Sequence, residues 1–276
     1  MQISYRTHNP LGLPKRMGTT TSTPRADPLE QAGKTGRLVL SARKLSGFPA
    51  EVWSIGLRLR SLDVSHNNLR VLPSQIGTLS KLQTLKLSHN LLVGLPDEFH
   101  HLENLKVLEA DHNLIQSVRG TLPRKNLRTL DLSYNALEGV VGHPGLALPP
   151  SVVSCNLGHN KISALDPVAF GFQTLPKLEE LDLDNNMIEL LPPDIGQLEK
   201  LTTLKARNNK LSTLPSELLR DTPVNRMHLE GNPVTLSHLK TVEGFADFLE
   251  RRKLRISKGW NQGLHPELDI CGLGES

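Results

Sequence analysis

LRSLDVSHNNLRVLPSQIGTLSK (59–81) and LQTLKLSHNLLVGLPDEFHHLEN (82–104) align without a gap. Leu59 falls on Leu82, Leu62 on Leu85, Val64 on Leu87, Asn67 on Asn90, Leu69 on Leu92 and Leu72-Pro73 on Leu95-Pro96. The period of about 23 residues resumes at Leu105, Leu127, Val152, Leu178, Leu201 and Val224, with a spacing of 22 before Leu127 and of 25 and 26 residues around VVGHPGLALPP (140–150) and DPVAFGFQTLP (166–176). Ahead of Leu59, GRLVLSARKLSGFPAEVW (36–53) is a degenerate ninth copy, with Arg43 or Lys44 where the asparagine is expected.

The shared pattern L-x-x-L-x-L-x-x-N-x-L defines a leucine-rich repeat. It predicts an α/β solenoid, a horseshoe whose concave wall is one parallel sheet of about nine strands. Within each copy a short strand such as Leu62-Asp63-Val64 sends alternate residues inward, so Leu62 and Val64 enter the core and Asp63 faces out. The Leu-Pro pairs at 72–73, 95–96, 191–192 and 214–215 open the convex segments, where proline's fixed φ suits an extended or first-turn position. Single helical turns are expected there, with the Ile and Leu of IGTLSKL and IGQLEKL facing the core.

One asparagine per coil, Asn67, Asn90, Asn113, Asn135, Asn160, Asn186, Asn209 and Asn232, stands where the chain leaves the strand and turns inward. A buried turn strands backbone N–H and C=O groups, and a carboxamide supplies both a donor and an acceptor to meet them. These eight are read as a structural ladder.

An open solenoid has to cover both ends of its core. The degenerate copy from Gly36 serves the N-terminal end. At the other end Leu239, Val242, Phe245, Phe248 and Leu249 lie at helical spacing, which predicts a capping helix over 236–258. Its last turns carry Arg251, Arg252, Lys253, Arg255 and Lys258, where positive charge favours a helix C-terminus. The expected organisation is an upstream extension at 1–16, a flexible arm at 17–35, the repeats at 36–235, the capping helix, and a disordered tail at 259–276.

Aromatic residues are only 4% of the chain and hydrophobic residues 37%, so leucine fills the core. A net charge of +4 falls short of the concentrated positive charge of a nucleic-acid binder, and no nucleic-acid partner is expected. Two cysteines and the lack of any Asn-x-Ser/Thr sequon point to a reducing, cytoplasmic setting. Cys155 occupies an inward strand position, a core residue rather than a nucleophile. No catalytic constellation is visible, and neither enzyme activity nor a cofactor is expected.

The surface carries what function there is. His66, His89, His112 and His159 each precede a ladder asparagine, with Tyr134 in the same column. Without a carboxylate or cysteine evidently placed beside them they read as a solvated stripe rather than a metal site. Outward strand positions place Glu109, Asp111, Asp131, Asp182 and Asp184 in the middle rows and Lys205 and Arg207 in a basic row. With Tyr134 these form the expected partner-binding wall, an acidic centre that meets a basic segment of a protein partner. The chain is expected to be a monomer.

GKTGRLVLSARKLSGFPAEV (33–52) and LEGNPVTLSHLKTVEGFADFLERRK (229–253) resemble the two ends of short intracellular, Ras-group-like leucine-rich repeat proteins. The resemblance is to the small family of leucine-rich repeat-containing protein fifty-seven and its plant counterparts. It implies a non-catalytic cytoplasmic or membrane-anchored adaptor whose N-terminus is Met-Gly with a myristoylation signal. Met17-Gly18 occupies that position, and MGTTTS (17–22) fits Met-Gly-x-x-x-Ser/Thr, with Gly18 as the acylated residue. Met17 is then the expected initiator. One myristoyl chain binds membranes marginally, so peripheral contact needs a second signal from Arg25, Lys34 and Arg37 or from the basic run at 251–258. The alternative function is a regulatory subunit of a signalling enzyme, in a phosphatase or small-GTPase pathway.

Overall fold

The structure, a computed structural model, describes residues 28–118, 122–141, 146–260 and 271–273. Nine short strands form one parallel sheet in chain order. They are β1 (Arg37–Val39), β2 (Ser61–Asp63), β3 (Thr84–Lys86), β4 (Val107–Glu109), β5 (Thr129–Asp131), β7 (Ser154–Asn156), β9 (Glu180–Asp182), β10 (Thr203–Lys205) and β11 (Arg226–His228). β6 (Glu138–Val141) and β8 (Lys161–Leu165), in the two lengthened coils, pair in parallel as a separate two-stranded sheet.

The strand register puts one inward column in line: Leu38, Leu62, Leu85, Leu108, Leu130, Cys155, Leu181, Leu204 and Met227. All nine are essentially buried. Each such leucine is stabilised by about 1.5–3 kcal/mol of burial, repeated at every turn of the solenoid. After Pro73, Pro96 and Pro192, each extended with φ −70°, a short 3-10 helix forms at Ser74–Thr78, Asp97–His101 and Pro193–Gln197. After Pro215 the turn is α-helical, α3 (Ser216–Asp221). α2 (Pro167–Phe170), in a lengthened coil, is capped by the Asp166 carboxylate accepting from the N–H groups of Val168 (3.0 Å) and Ala169 (2.8 Å) and ended by left-handed Gly171.

Both ends differ from the sequence reading. The arm expected to be flexible to residue 35 is helical over its last part, α1 (Pro28–Thr35), with Ala32 fully buried. Gly36, at φ +72°, closes this helix by donating to the Ala32 carbonyl at 2.7 Å and then takes the N–H groups of Arg60 and Ser61. The single helix expected over 236–258 is two, α4 (Leu236–Leu239) and α5 (Phe245–Trp260). Gly244 at φ +84° separates them, because that backbone conformation cannot continue a right-handed helix. α5 buries Phe245 and Phe248, and Arg251 spends its guanidinium on the Val224 and Leu219 carbonyls, so it is part of the cap rather than of a free basic surface.

The tail expected to be disordered contains a docked segment. The Cys271 carbonyl accepts the Leu229 N–H at 2.9 Å, beside the last strand, and Cys271 is buried. Gly272 lies so close to Glu230 that a Cβ there would sit 1.9 Å from its carboxyl carbon.

Candidate functional site

The site grows out of one turn repeated in every coil. At the strand exit Asn90 Oδ1 accepts the Leu69 N–H of the preceding coil (3.0 Å), and its Nδ2 donates to the Val64 carbonyl of that coil (3.0 Å) and the Leu87 carbonyl of its own (2.9 Å). Asn67, Asn113, Asn135, Asn160, Asn186, Asn209 and Asn232 repeat the arrangement, each reaching back to the coil before it.

Drawing the asparagine inward forces the residue before it out, in the left-handed backbone region. His66, His89, His112, Tyr134, His159, Asn185 and Asn208 all have φ between 51° and 55°. At this position Gly231 ends the column at φ +75°. The five rings stack face to face, with centroids 4.3, 4.1, 4.1 and 3.8 Å apart and planes within 20° of parallel. His159 Nε2 then meets Asn185 Nδ2 at 3.0 Å, and Asn208 Nδ2 donates to Asn185 Oδ1 at 2.9 Å. The strand spacing of about 4.8 Å brings the rings nearly into contact, and tilting closes the rest. The column was visible in sequence; the continuous stack was not, because it depends on a shared backbone twist at every row. Partial desolvation within the stack, and then the neighbouring His112 and His66, hold the His89 imidazole below its ordinary pKa, while Asp111 opposes them.

The acidic centre expected on the concave wall is largely neutralised from within. Lys86 reaches one row across to Glu109 at 2.7 Å. Lys205 reaches back to Glu180 (2.8 Å) and Asp182 (3.2 Å), and Arg207 gives Asp184 both its backbone N–H and its Nε at 2.7 Å. The acidic and basic rows are thus a single paired feature, since in-register parallel strands set opposite charges side by side. Asp184, 5% exposed, lies under Arg207 and does not present itself to a partner. Burial raises the Asp182 carboxyl above its usual pKa, against the Asp184 N–H and Lys205.

Asp131 accepts from the Ser133 N–H and Oγ and from Asn156 Nδ2, and it makes no ion pair among the described residues. Tyr134, 45% exposed, follows three residues later in the same coil, its ring between those of His112 and His159. Asp111 takes the Ser88 hydroxyl on Oδ1 and faces His112 Nδ1 with Oδ2 at 2.8 Å. Burial works to raise the Asp111 carboxyl, but the bonds from Ser88, His112 and its own backbone outweigh burial and hold it below the usual range. Burial, reinforced by Asp131 and Asp182, raises the Cys155 thiol far above its ordinary value, which suits a core residue and not a thiolate nucleophile. Gly18 lies outside the described residues.

This geometry belongs to a protein whose coils are all variations on one unit. Family models described as leucine rich repeat match residues 58–115, 126–145 and 150–211, and the chain belongs to the leucine-rich repeat proteins. It is 36% identical over 93 residues to human (Homo sapiens) oligodendrocyte-myelin glycoprotein, covering 34% of this chain and 20% of that protein. Bos taurus Toll-like receptor 6 is 37% identical over 91 residues, covering 33% of this chain and 11% of the receptor. A MAP kinase phosphatase with leucine-rich repeats from Dictyostelium discoideum is 32% identical over 108 residues, 39% of this chain and 13% of that protein. The chain therefore spans a fifth or less of each of these relatives. Among solved structures, a Leptospira interrogans leucine-rich repeat protein superposes with TM-score 0.57 at 30% identity, over 78% of this chain and 58% of that one. YopM of Yersinia enterocolitica gives TM-score 0.52 at 26% identity, over 72% and 38%. No helix among the described residues is long and apolar enough to cross a membrane.

Proposed function

We propose that the chain is a non-catalytic scaffold that holds a protein partner against its concave wall, working as an adaptor. The observation that carries this is the alternation on β2–β5, β7 and β9, where a buried central residue is flanked by two half-exposed ones, polar in all but Val107, so that these side chains stand in registered columns along one curved face. A face of that kind offers a partner many weak, geometrically fixed contacts, as repeat solenoids do. Because most of its charges are paired within the wall, the recognition centre narrows from the full acidic row to Asp131 and the adjoining Tyr134. A partner that offers a basic side chain to Asp131 fits it best.

Asp131→Lys combined with Tyr134→Asn is expected to abolish recovery of the principal partner by affinity purification, while Glu98→Lys on the convex side leaves it intact. Equal recovery by both variants would overturn the concave-face reading. The similarity to the Dictyostelium phosphatase favours a second reading, a regulatory subunit of a signalling enzyme of the phosphatase or small-GTPase kind. Copurification of either activity with the chain separates it from a plain scaffold.

The proposal extends to a reversible peripheral membrane anchor, as in the small family whose ends this chain resembles, with translation from Met17 and myristate on Gly18. The support is the MGTTTS motif ahead of the first coil. Of the basic residues at the two ends, Lys34 is paired with Glu30 at 2.8 Å and Arg251 is committed to the cap, whereas Arg37 and Lys253 are exposed. Eight strand spacings, roughly 38 Å, separate the first and last coils, so the two ends do not add simply at one surface. Intact mass of the cellular protein is the test: a chain that begins at myristoyl-Gly18 supports the anchor, and one that retains Met1 removes it.

A further inference from the structure

A carboxylate stands beside the histidine column at a single row. Five rings share the column, but the residue before each is Ser65, Ser88, Asp111, Ser133 or Gly158. Only His112 therefore has a carboxylate at its side, and only His89 stacks on that His112 from the preceding row with an imidazole of its own.

We propose that His89, Asp111 and His112 form a surface site for a divalent first-row metal ion that prefers imidazole, zinc above all. One donor atom from each residue falls within 4.8 Å of the other two. Bonds of about 2.0–2.1 Å in a tetrahedral zinc shell put donors roughly 3.3 Å apart, so closure takes on the order of 1 Å of side-chain movement. A fourth position is left to water, as in three-ligand zinc sites.

The stack at rest does not hold the ion. The His89 and His112 planes are 20° from parallel, and an ion has to lie near the plane of every imidazole that ligates it. One ring turns about its side-chain torsions, and His89 is the mobile one because it is exposed and held only by stacking. The Asp111–His112 half is already set. Ser88 fixes Oδ1, and the ion takes the place of the proton between Oδ2 and Nδ1, 2.8 Å apart, with the imidazole proton moving to Nε2. The carboxylate offsets one of the two positive charges, which two imidazoles alone do not.

The test uses the full chain without a polyhistidine tag, titrated with zinc chloride at neutral pH and followed by calorimetry and by the histidine ring proton resonances. One ion per chain with a dissociation constant in the micromolar range is expected, with the resonances of His89 and His112 moving first. His89→Asn, His112→Asn and Asp111→Asn are each expected to weaken binding by about tenfold or more. Asparagine is the replacement for the histidines because Asn185 and Asn208 already occupy this column at the same φ, so the variants fold. The His100 and His101 pair, rings 3.9 Å apart elsewhere on the surface, is the control, and replacing both is expected to change nothing. No saturable binding below about millimolar zinc, unchanged affinity in His89→Asn or His112→Asn, or loss of binding on replacing His100 and His101 overturns the proposal.

Discussion

Replacing Asn186 by alanine removes four bonds at once. Its Oδ1 accepts the Ile162 N–H at 3.0 Å, and its Nδ2 donates to the carbonyls of Leu157 (3.1 Å), Leu183 (3.0 Å) and Asp184 (3.2 Å). Asn186 is 8% exposed, so water does not replace those partners without opening the turn. A buried donor left without a partner costs about 1–3 kcal/mol, and the three carbonyls that lose a donor put the expected destabilisation toward the upper end of that range. Asn186→Asp is a sharper probe. Aspartate keeps the acceptor for Ile162 but turns a carboxylate toward three carbonyls, so at neutral pH it is expected to be worse than alanine and to recover as the pH falls and the carboxyl protonates. Asn185→Ala, one residue away and half-exposed, is the control and is expected to lose only about 1 kcal/mol, from the left-handed preference of asparagine over alanine and the surface bonds to His159 and Asn208. Urea denaturation followed by far-ultraviolet circular dichroism reads all three. If Asn186→Ala lies within about 0.5 kcal/mol of the wild type, the turn is held by something other than the asparagine and the reasoning fails.

Three further outcomes follow from the packing. Gly77→Ala places a Cβ 2.6 Å from the backbone oxygen of Glu98 in the next convex turn, and about 1–3 kcal/mol of destabilisation is expected in the same urea experiment. Asp182 is a carboxyl whose folded pKa is raised, so the fold binds its proton more tightly than the unfolded chain does; ionised Asp182 subtracts stability above its folded pKa, and the penalty vanishes below the unfolded value of 3.8. Asp182→Asn, which retains an acceptor for the Asp184 N–H, is accordingly expected to be at least as stable as the wild type at pH 7 and to lose that relative advantage by about pH 3, as thermal melts across pH will show. Gly272→Ala collides with Glu230 and is expected to lift the tail from β11, seen as faster hydrogen exchange at the Leu229 amide with little change in the global melt.

Much of this was legible because the repeat states each rule several times. Leu62 and Leu85 declare the strand face, Pro73 and Pro96 the start of the convex turn, and Asn67 and Asn90 the inward turn. The charge pairs were half legible. Glu109 lies 23 residues after Lys86, and Arg207 23 after Asp184, one period in each case, so their adjacency follows from the register. Whether a long side chain bends to its neighbour or extends into water is decided by local competition, which a row-by-row reading of signs does not contain. α1 carried its own signals, Pro28 at the first helical position and Gly36 just past the end, but at eight residues it has no stability apart from the coil it covers. The break between α4 and α5 has a local sign in Gly244, which apolar spacing alone passes over; the docking of Cys271 depends on a contact with Leu229, far off in sequence, and no local pattern announces it.

The left-handed column separates two jobs that most surfaces mix. In each coil the asparagine points inward and secures the turn, while its neighbour one residue earlier is turned outward and asked only to tolerate a positive φ. Alanine at Ala42, histidine, tyrosine and asparagine all meet that condition here. The strip can therefore be rewritten row by row, for a different ligand or for none, with the leucine interior unchanged. The solenoid behaves as a ruler with blank divisions about 4.8 Å apart, on which a row of chosen chemical groups can be laid out at fixed intervals.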